Sequence, residues 1–137
     1  MIKSVNVVYE LDKNNPEGLN NIDKDKLKQI TNNYIEHIDC AELDRFVIAD
    51  RHDVFVACVQ KLGIKGTLTL KFINLDLLGN KIEKAELTGQ QYSKLLPNIN
   101  SCWSHLEAMD AVSQSSLQLN NMYYDNIYTV LKLEKTQ

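Results

Sequence analysis

Arginine is nearly missing from this sequence. Two residues, Arg45 and Arg51, stand against 13 lysines, and the lysines are scattered along a chain whose formal net charge is -3. No basic stripe exists to follow a phosphate backbone, so nucleic acid is not expected as a direct partner. Cysteine is scarce too. Cys40, Cys58 and Cys102 are odd in number, far apart and in no Cys-x-x-Cys spacing, which excludes a disulfide framework and a zinc site and fits reduced thiols in a cytoplasmic protein. No apolar run approaches the roughly 20 residues of a membrane span. The opening "MIKSVNVVYE" lacks the long apolar stretch of a secretory signal. A cytoplasmic chain without membrane contact or bound metal is the expectation. Internal repeats, low-complexity tracts and linkers are absent as well, so a single domain over 1–137 is expected.

What remains is ordinary globular material: 137 residues, 44% hydrophobic and 24% charged, enough to bury most of the apolar surface without metal or disulfide. Its elements alternate. "VNVVYEL", Val5 to Leu11, is rich in β-branched and aromatic residues and reads as a strand. Polar "DKNNPEGLNN" ends it, and Asp23 then caps a helix carrying Leu27, Ile30 and Tyr34. "YIEHIDC" is a short second strand. Asp50 followed by Asp53 resembles a capping box for a helix striped with Val54, Phe55, Cys58, Val59 and Leu62, with Gly63 as its left-handed stop. "GTLTLKFIN" from Gly66 reads as a central strand and "LDLLGNKIEKAE" as a helix. Thr88 and Gln91 form a second capping box before Pro97. Ser101 is expected to cap a helix through Trp103, Leu106, Met109 and Val112. "LQLNNMYY" and "IYTVLKL" flank Asp125-Asn126, a pair that tolerates positive φ, and so predict a β-hairpin.

This order predicts an α/β fold: a three-layer Rossmann-like sandwich with a mostly parallel sheet and a C-terminal antiparallel β-hairpin. Ligands of such sheets sit outside the carboxyl ends of the strands. The turns Glu10 to Gly18, Asp39 to Asp44 and Asn74 to Asp76 should therefore share one edge.

The segment "IDCAELDRFVIADRHDVFVACVQKLGIKGTLTLKFINLDLL" resembles the second half of class I S-adenosylmethionine-dependent methyltransferases, especially small phage-type methyltransferase-like proteins. In that family a helix ending in Leu-x-x-Gly-Gly passes to a Gly-x-Leu-x-Ile strand, the place that "KLGIKGTLTL" holds here, and a terminal hairpin follows where "LQLNNMYYDNIYTVLKL" lies. The resemblance implies S-adenosylmethionine as cofactor. It also exposes what is lacking. The family carries a glycine-rich loop after its first strand and an acid at the end of the second to hold the ribose. The chain has five glycines, and only Gly18 falls in the turn "DKNNPEGLNNID", where any other residue brings a Cβ that crowds a close backbone approach. The stretch from Asp23 to Ile38 is also too short for the usual second and third strands with their helices. The resemblance therefore implies an abridged sheet, with Glu10, Asp12, Gly18 and Asp39 as the available cofactor contacts.

Each such residue has a plainer reading. Glu10, Asp12 and Glu17 in an Asn/Pro/Gly turn are commonly solvated turn formers. Cys40 reads as a buried small residue, with Asp39 and Asp44 belonging to a loop or helix start. His37, His52 and His105 pair in sequence with no nucleophile or second ligand and read as surface or capping histidines. Asn74 and Asp76 follow the central strand, but "NLDLL" lacks the Pro-Pro-aromatic continuation of an amino-methyltransferase motif. Trp103, Tyr123, Tyr124 and Tyr128 read as stacking or interface groups and equally as helix-core and cross-strand packing. No catalytic residue is assignable. The expected function is a degenerate methyltransferase-like protein that acts as a non-catalytic binding or assembly domain; a compact active methyltransferase and an unrelated α/β interaction module are the alternatives. Self-association or a protein partner is expected at the hairpin or the Trp103 segment, since an abridged sheet leaves an edge strand to cover.

Overall fold

The computed structural model describes residues 1–11 and 20–137. Its strands are β1 (Ile2–Val7), β2 (Asn21–Ile22), β3 (Ile35–Cys40), β4 (Leu62–Ile73), β5 (Leu117–Asp125) and β6 (Tyr128–Lys135); its α-helices are α1 (Lys24–Gln29), α2 (Ile48–Lys61), α3 (Leu75–Glu83), α4 (Gly89–Leu95) and α5 (His105–Ser113). One mixed sheet runs in the order β2-β1-β3-β4-β6-β5. The β1–β2, β1–β3 and β3–β4 pairs are parallel, and β6 lies antiparallel between β4 and β5. The expected α/β fold with its C-terminal antiparallel hairpin is present.

The sheet's two faces differ sharply. Strand residues alternate between faces, and register puts Val5, Val7, Ile38, Cys40, Leu68, Leu70, Phe72, Leu131 and Leu133 on one of them, none more than 3% exposed. Helices α1, α2 and α5 cover that face with Leu27, Val54, Phe55, Cys58, Ala108 and Val112. Trp103 packs edge-on against Phe55 and Phe72, at 5.4 and 5.6 Å between ring centres. The opposite face presents Ser4, Asn6, His37, Asp39, Thr67, Thr69 and Lys132, half-buried or exposed. Among the described residues a helical layer reaches it at one corner, where Leu78 of α3 and Leu95 of α4 pack on Ile73, Ile127 and Tyr128.

Several boundaries move for physical reasons. The first strand is Ile2–Val7 rather than Val5 to Leu11, because its partners β3 and β2 end at Cys40 and Ile22, both opposite Val7. Helix α2 starts at Ile48 with Val47 as an N-cap that makes no side-chain bond. Asp50 is not the cap: it lies in the first turn, where the helix dipole favours an acid, 3.3 Å from Lys24. Nor does Gly63 stop the helix in a left-handed conformation. Leu62 ends α2 and begins β4 with extended geometry. The glycines serve close approach instead: a Cβ on Gly66 would stand 2.7 Å from Gly63 O and 3.0 Å from Glu36 O. They sit at a bulge between Ile35↔Leu62 and His37↔Thr67, with Lys65 at φ 67. Ser104, not Ser101, caps α5, in a capping box with Glu107. Trp103 precedes that helix, and Leu106 is 80% exposed. The Asp23 cap and the Thr88–Gln91 box form as expected. Asn126, at φ 57, opens the two-residue hairpin turn.

Lys135 fastens the last strand. Its Nζ, in a residue 7% exposed, donates to Val59 O, Leu62 O and Asn33 Oδ1 at 2.7, 2.9 and 2.8 Å. It thereby ties β6 to carbonyls at the α2–β4 junction, where a helix end leaves backbone acceptors to be met.

Gly66→Ala should destabilise the fold by about 1–3 kcal/mol, because the methyl group meets backbone oxygens that cannot swing away. Gly79→Ala, in α3 with open space around it, should be neutral or stabilising by about 0.4–1 kcal/mol. Urea unfolding midpoints of the two variants test this, and equal midpoints would contradict it.

Candidate functional site at the carboxyl edge of the sheet

From β1 the chain passes to β2 on one side and then to β3 on the other, so the sheet reverses direction between β1 and β3. That reversal is where an open α/β sheet forms its ligand crevice. Here the two flanking loops are joined across it. The Tyr9 backbone N–H donates to Glu42 Oε2 at 2.6 Å. The Tyr9 ring lies edge-on to Phe46 at 5.0 Å and under the Arg45 guanidinium at 4.7 Å. Arg45 in turn stands 3.7 Å from Glu42. The sequence "AELDRF" arranges this through a 3-10 turn at Leu43–Arg45: Leu43, Asp44 and Phe46 point inward and are buried, while Glu42 and Arg45 remain half-exposed to meet Tyr9.

One strand further along, between the ends of β3 and β4, is a cavity of about 250 Å³ lined by Glu42, Asp44, Arg45, Ile73, Leu95 and Tyr128, among others. Asp44 lies at its base and is 6% exposed. Its Oδ2 accepts the Ile73 N–H at 2.9 Å, and its backbone carbonyl accepts the N–H groups of Asn100 and Ser101 at 2.7 and 3.1 Å. One residue thus ties together the loop after β3, the end of β4 and the approach to α5. Asp44 Oδ1 and Ser101 Oγ are buried without a hydrogen-bond partner among the described residues. Burial pushes the Asp44 carboxyl up from 3.8 to about 6, against the opposing pull of the Ile73 N–H and the Arg51 charge. Arg51 is itself buried, 5.2 Å from the Trp103 ring centre and donating to Cys102 O at 2.5 Å. Desolvation lowers its pKa, while Glu107 and Asp44 raise it.

The residues singled out in the sequence lie in several surroundings. Asp12, Glu17 and Gly18 lie outside the described residues. Glu10 is exposed in the bend that follows β1. Asp39 stands on the polar sheet face, its Oδ1 3.0 Å from His37 Nε2, and no described hydrogen bond or ion pair joins it to Glu10. Cys40 is buried facing α2 and shares a hydrogen bond with Cys58, whose thiol is pushed well above its ordinary value by that bond and by burial. Asn74 caps α3, accepting from Asp76 and Leu77 and donating to Thr129. His52 lines a groove between α2 and α5, and His105 opens α5. Among the described residues no His, Cys, Asp or Glu cluster could hold a metal, and no helix is long and apolar enough to cross a membrane.

Sequence reasoning missed Tyr9 and the burial of Asp44. It also saw Asp23 only as a cap. Because β2 runs beside β1, Asp23 follows the strand that holds the second-strand position, where the resemblance calls for a ribose-binding acid. A two-residue strand leaves no periodicity to read. Asp23 Oδ1 is already engaged by the Lys26 N–H at 2.9 Å. Among the described residues, then, Tyr9 bridges the crevice and Asp23 Oδ1 caps α1.

No family model and no curated protein matches this sequence. Solved structures do match in fold. A SAM-dependent methyltransferase from Archaeoglobus fulgidus is similar with a TM-score of 0.68 at 6% identity, over 98% of this chain and 86% of that one. A chain of the Haloferax volcanii complex that contains the Trm112 methyltransferase activator gives 0.68 at 9% identity, over 99% and 83%. For an O-methyltransferase family protein from Burkholderia thailandensis the values are 0.64 and 10%, over 99% of this chain but 51% of that one, so the chain spans about half of some of the structures it matches. At these identities the likeness is one of fold: this is a class I methyltransferase-like α/β sheet.

Asp44 gives this edge a pH signature. The folded pKa lies above the unfolded one, so the native state holds the proton longer; stability falls as pH rises from about 4 to about 6 and levels off above. The shift is worth on the order of 3 kcal/mol. Asp44→Asn keeps an acceptor for the Ile73 N–H and removes the titration. Unfolding free energies at pH 4 and pH 7 should show the variant gaining by about that amount on the wild type between the two. An unchanged difference would contradict the burial of a titrating carboxyl.

Proposed function

We propose that this chain is a degenerate methyltransferase-like protein that keeps the sheet as a binding or assembly domain and does not itself transfer methyl groups. The observation that carries this reading is the Tyr9 bridge, which joins the loops after β1 and β3 where the sheet would open for a ligand. The burial of Cys40 and Cys58 supports it. The reading places the chain with the small phage-type proteins it resembles, in the cytoplasm. Its partner surface is the free edge of β5, where Leu119, Met122 and Tyr124 are 39%, 36% and 57% exposed on the face that the helices leave open beyond α5. The partner is another protein chain or a second copy. The Haloferax volcanii neighbour, matched in a complex with an activator, shows the fold in such company.

A compact active methyltransferase is the second reading, favoured by Asp23 beside β1. It requires Tyr9 to leave the crevice and Asp23 to release Lys26. Calorimetric titration with S-adenosylmethionine and S-adenosylhomocysteine separates the two. The proposed function predicts no saturable heat at millimolar ligand from folded wild-type protein. Saturable binding that Asp23→Ala abolishes and Tyr9→Ala strengthens would establish a working cofactor site and overturn it.

A further inference from the structure

The bare face of the sheet carries an arrangement that neither reading uses. His37 and Asp39 alternate onto that face from β3, and Thr67 of β4 lies directly opposite His37 in the ladder. Thr67 Oγ1 is 2.6 Å from His37 Nδ1, and Asp39 Oδ1 is 3.0 Å from His37 Nε2. A neutral imidazole has one ring proton. Placed on Nδ1, it would leave the Nε2 lone pair facing a carboxylate oxygen, two acceptors with nothing between them. Placed on Nε2, it is donated to Asp39, and Nδ1 accepts the Thr67 hydroxyl proton. The carboxylate therefore selects the tautomer in which the imidazole acts as a base toward the hydroxyl. Thr67 is exposed and borders a cavity of about 200 Å³, lined also by Thr69, Asn120 and Lys132.

We propose that Thr67, His37 and Asp39 form a nucleophile, its base and the positioning residue of that base, able to take an acyl group from an activated ester onto Thr67 Oγ1. The arrangement satisfies the two geometric requirements of such a device: nucleophile within hydrogen-bond reach of the base, and base oriented by a third group. In the step, Thr67 Oγ1 forms a bond to the carbonyl carbon while its proton passes to His37 Nδ1. The ester C–O bond then breaks, and the leaving phenolate takes that proton, giving acyl-threonine and a free phenol. Charge developing on the carbonyl oxygen is stabilised from the side of the cavity that the Lys132 ammonium lines, Asn120 Nδ2 there already donating to Glu134 Oε2 at 3.3 Å.

The test uses the full chain and p-nitrophenyl acetate, with nitrophenol release followed by absorbance and the acetyl group located by peptide mass spectrometry. Acetylation at Thr67 is expected in the wild type and in Thr67→Ser, absent in Thr67→Val, and at least tenfold slower at that residue in His37→Gln, while Thr69→Val leaves it unchanged. Asp39→Asn should slow it by a similar factor and, in the imidazole 15N spectrum, convert a single Nε2–H tautomer into a mixture. Circular dichroism establishes that each variant is folded; all the substitutions lie on the exposed face. Acetyl groups confined to lysines and the N-terminus, or Thr67 acetylation at equal rates in wild type and His37→Gln, would overturn the proposal.

Discussion

Almost everything in this molecule depends on burial being one-sided. A parallel sheet in an α/β protein is ordinarily covered on both faces and written as continuous apolar runs. Here β3 and β4 alternate, so that Ile38, Cys40, Leu68, Leu70 and Phe72 go under the helices and His37, Asp39, Thr67 and Thr69 go to the other side. Burying a Leu, Ile or Phe side chain contributes roughly 1.5–3 kcal/mol, and nearly all such burial lies between one sheet face and three helices. The smaller cluster under α3 and α4 holds only a corner. A sheet covered by helices mainly on one side can be stable on these terms, because the other face, among the described residues, is composed of groups that water satisfies.

The same economy shapes the carboxyl edge. Just past the end of β1, Tyr9 rests on the loop after β3, against Glu42, Arg45 and Phe46. Beneath that contact Asp44 holds three segments in register with one side chain and one carbonyl. A buried carboxyl with an oxygen left unpaired is costly, and the protein reduces that cost by keeping Asp44 protonated longer than a solvated acid would be.

How much of this was legible depended on whether the decisive interaction was local. The α2 stripe, the Thr88–Gln91 box and the hairpin turn at Asn126 are local, and the sequence foretold them. Ser101 and Ser104 were both available as caps; Glu107, three residues after Ser104, was the discriminating sign. Gly63 read as a helix stop because a glycine after an apolar stripe often is one, yet a helix that leads straight into a strand needs no left-handed residue, and the glycines answer instead to backbone oxygens across the ladder. The site was harder still. Asp44 is made unusual by Ile73 and by the Asn100–Ser101 segment, Tyr9 by Glu42 and Phe46, and no spacing rule connects residues that far apart. The class I likeness was legible from "KLGIKGTLTL" and the terminal hairpin, which are structural words; they carry the fold and leave the activity open.

The position of β6 bears on how the chain comes to be folded. It separates β4 from β5, so the apolar row of β4 can be zipped on its far side only when residues 128–135 exist, some 60 positions after the strand they cover: Thr67 pairs with Glu134 and Leu70 with Leu131. On the ribosome, β1, β3, α2 and β4 emerge as a half-sheet whose growing edge is unprotected, and such an edge invites pairing with other chains. Lys135 then ends this interval, because its ammonium reaches back to carbonyls at the α2–β4 junction that were made long before. Synthesis therefore leaves the β4 edge open to other chains until β6 arrives to cover it.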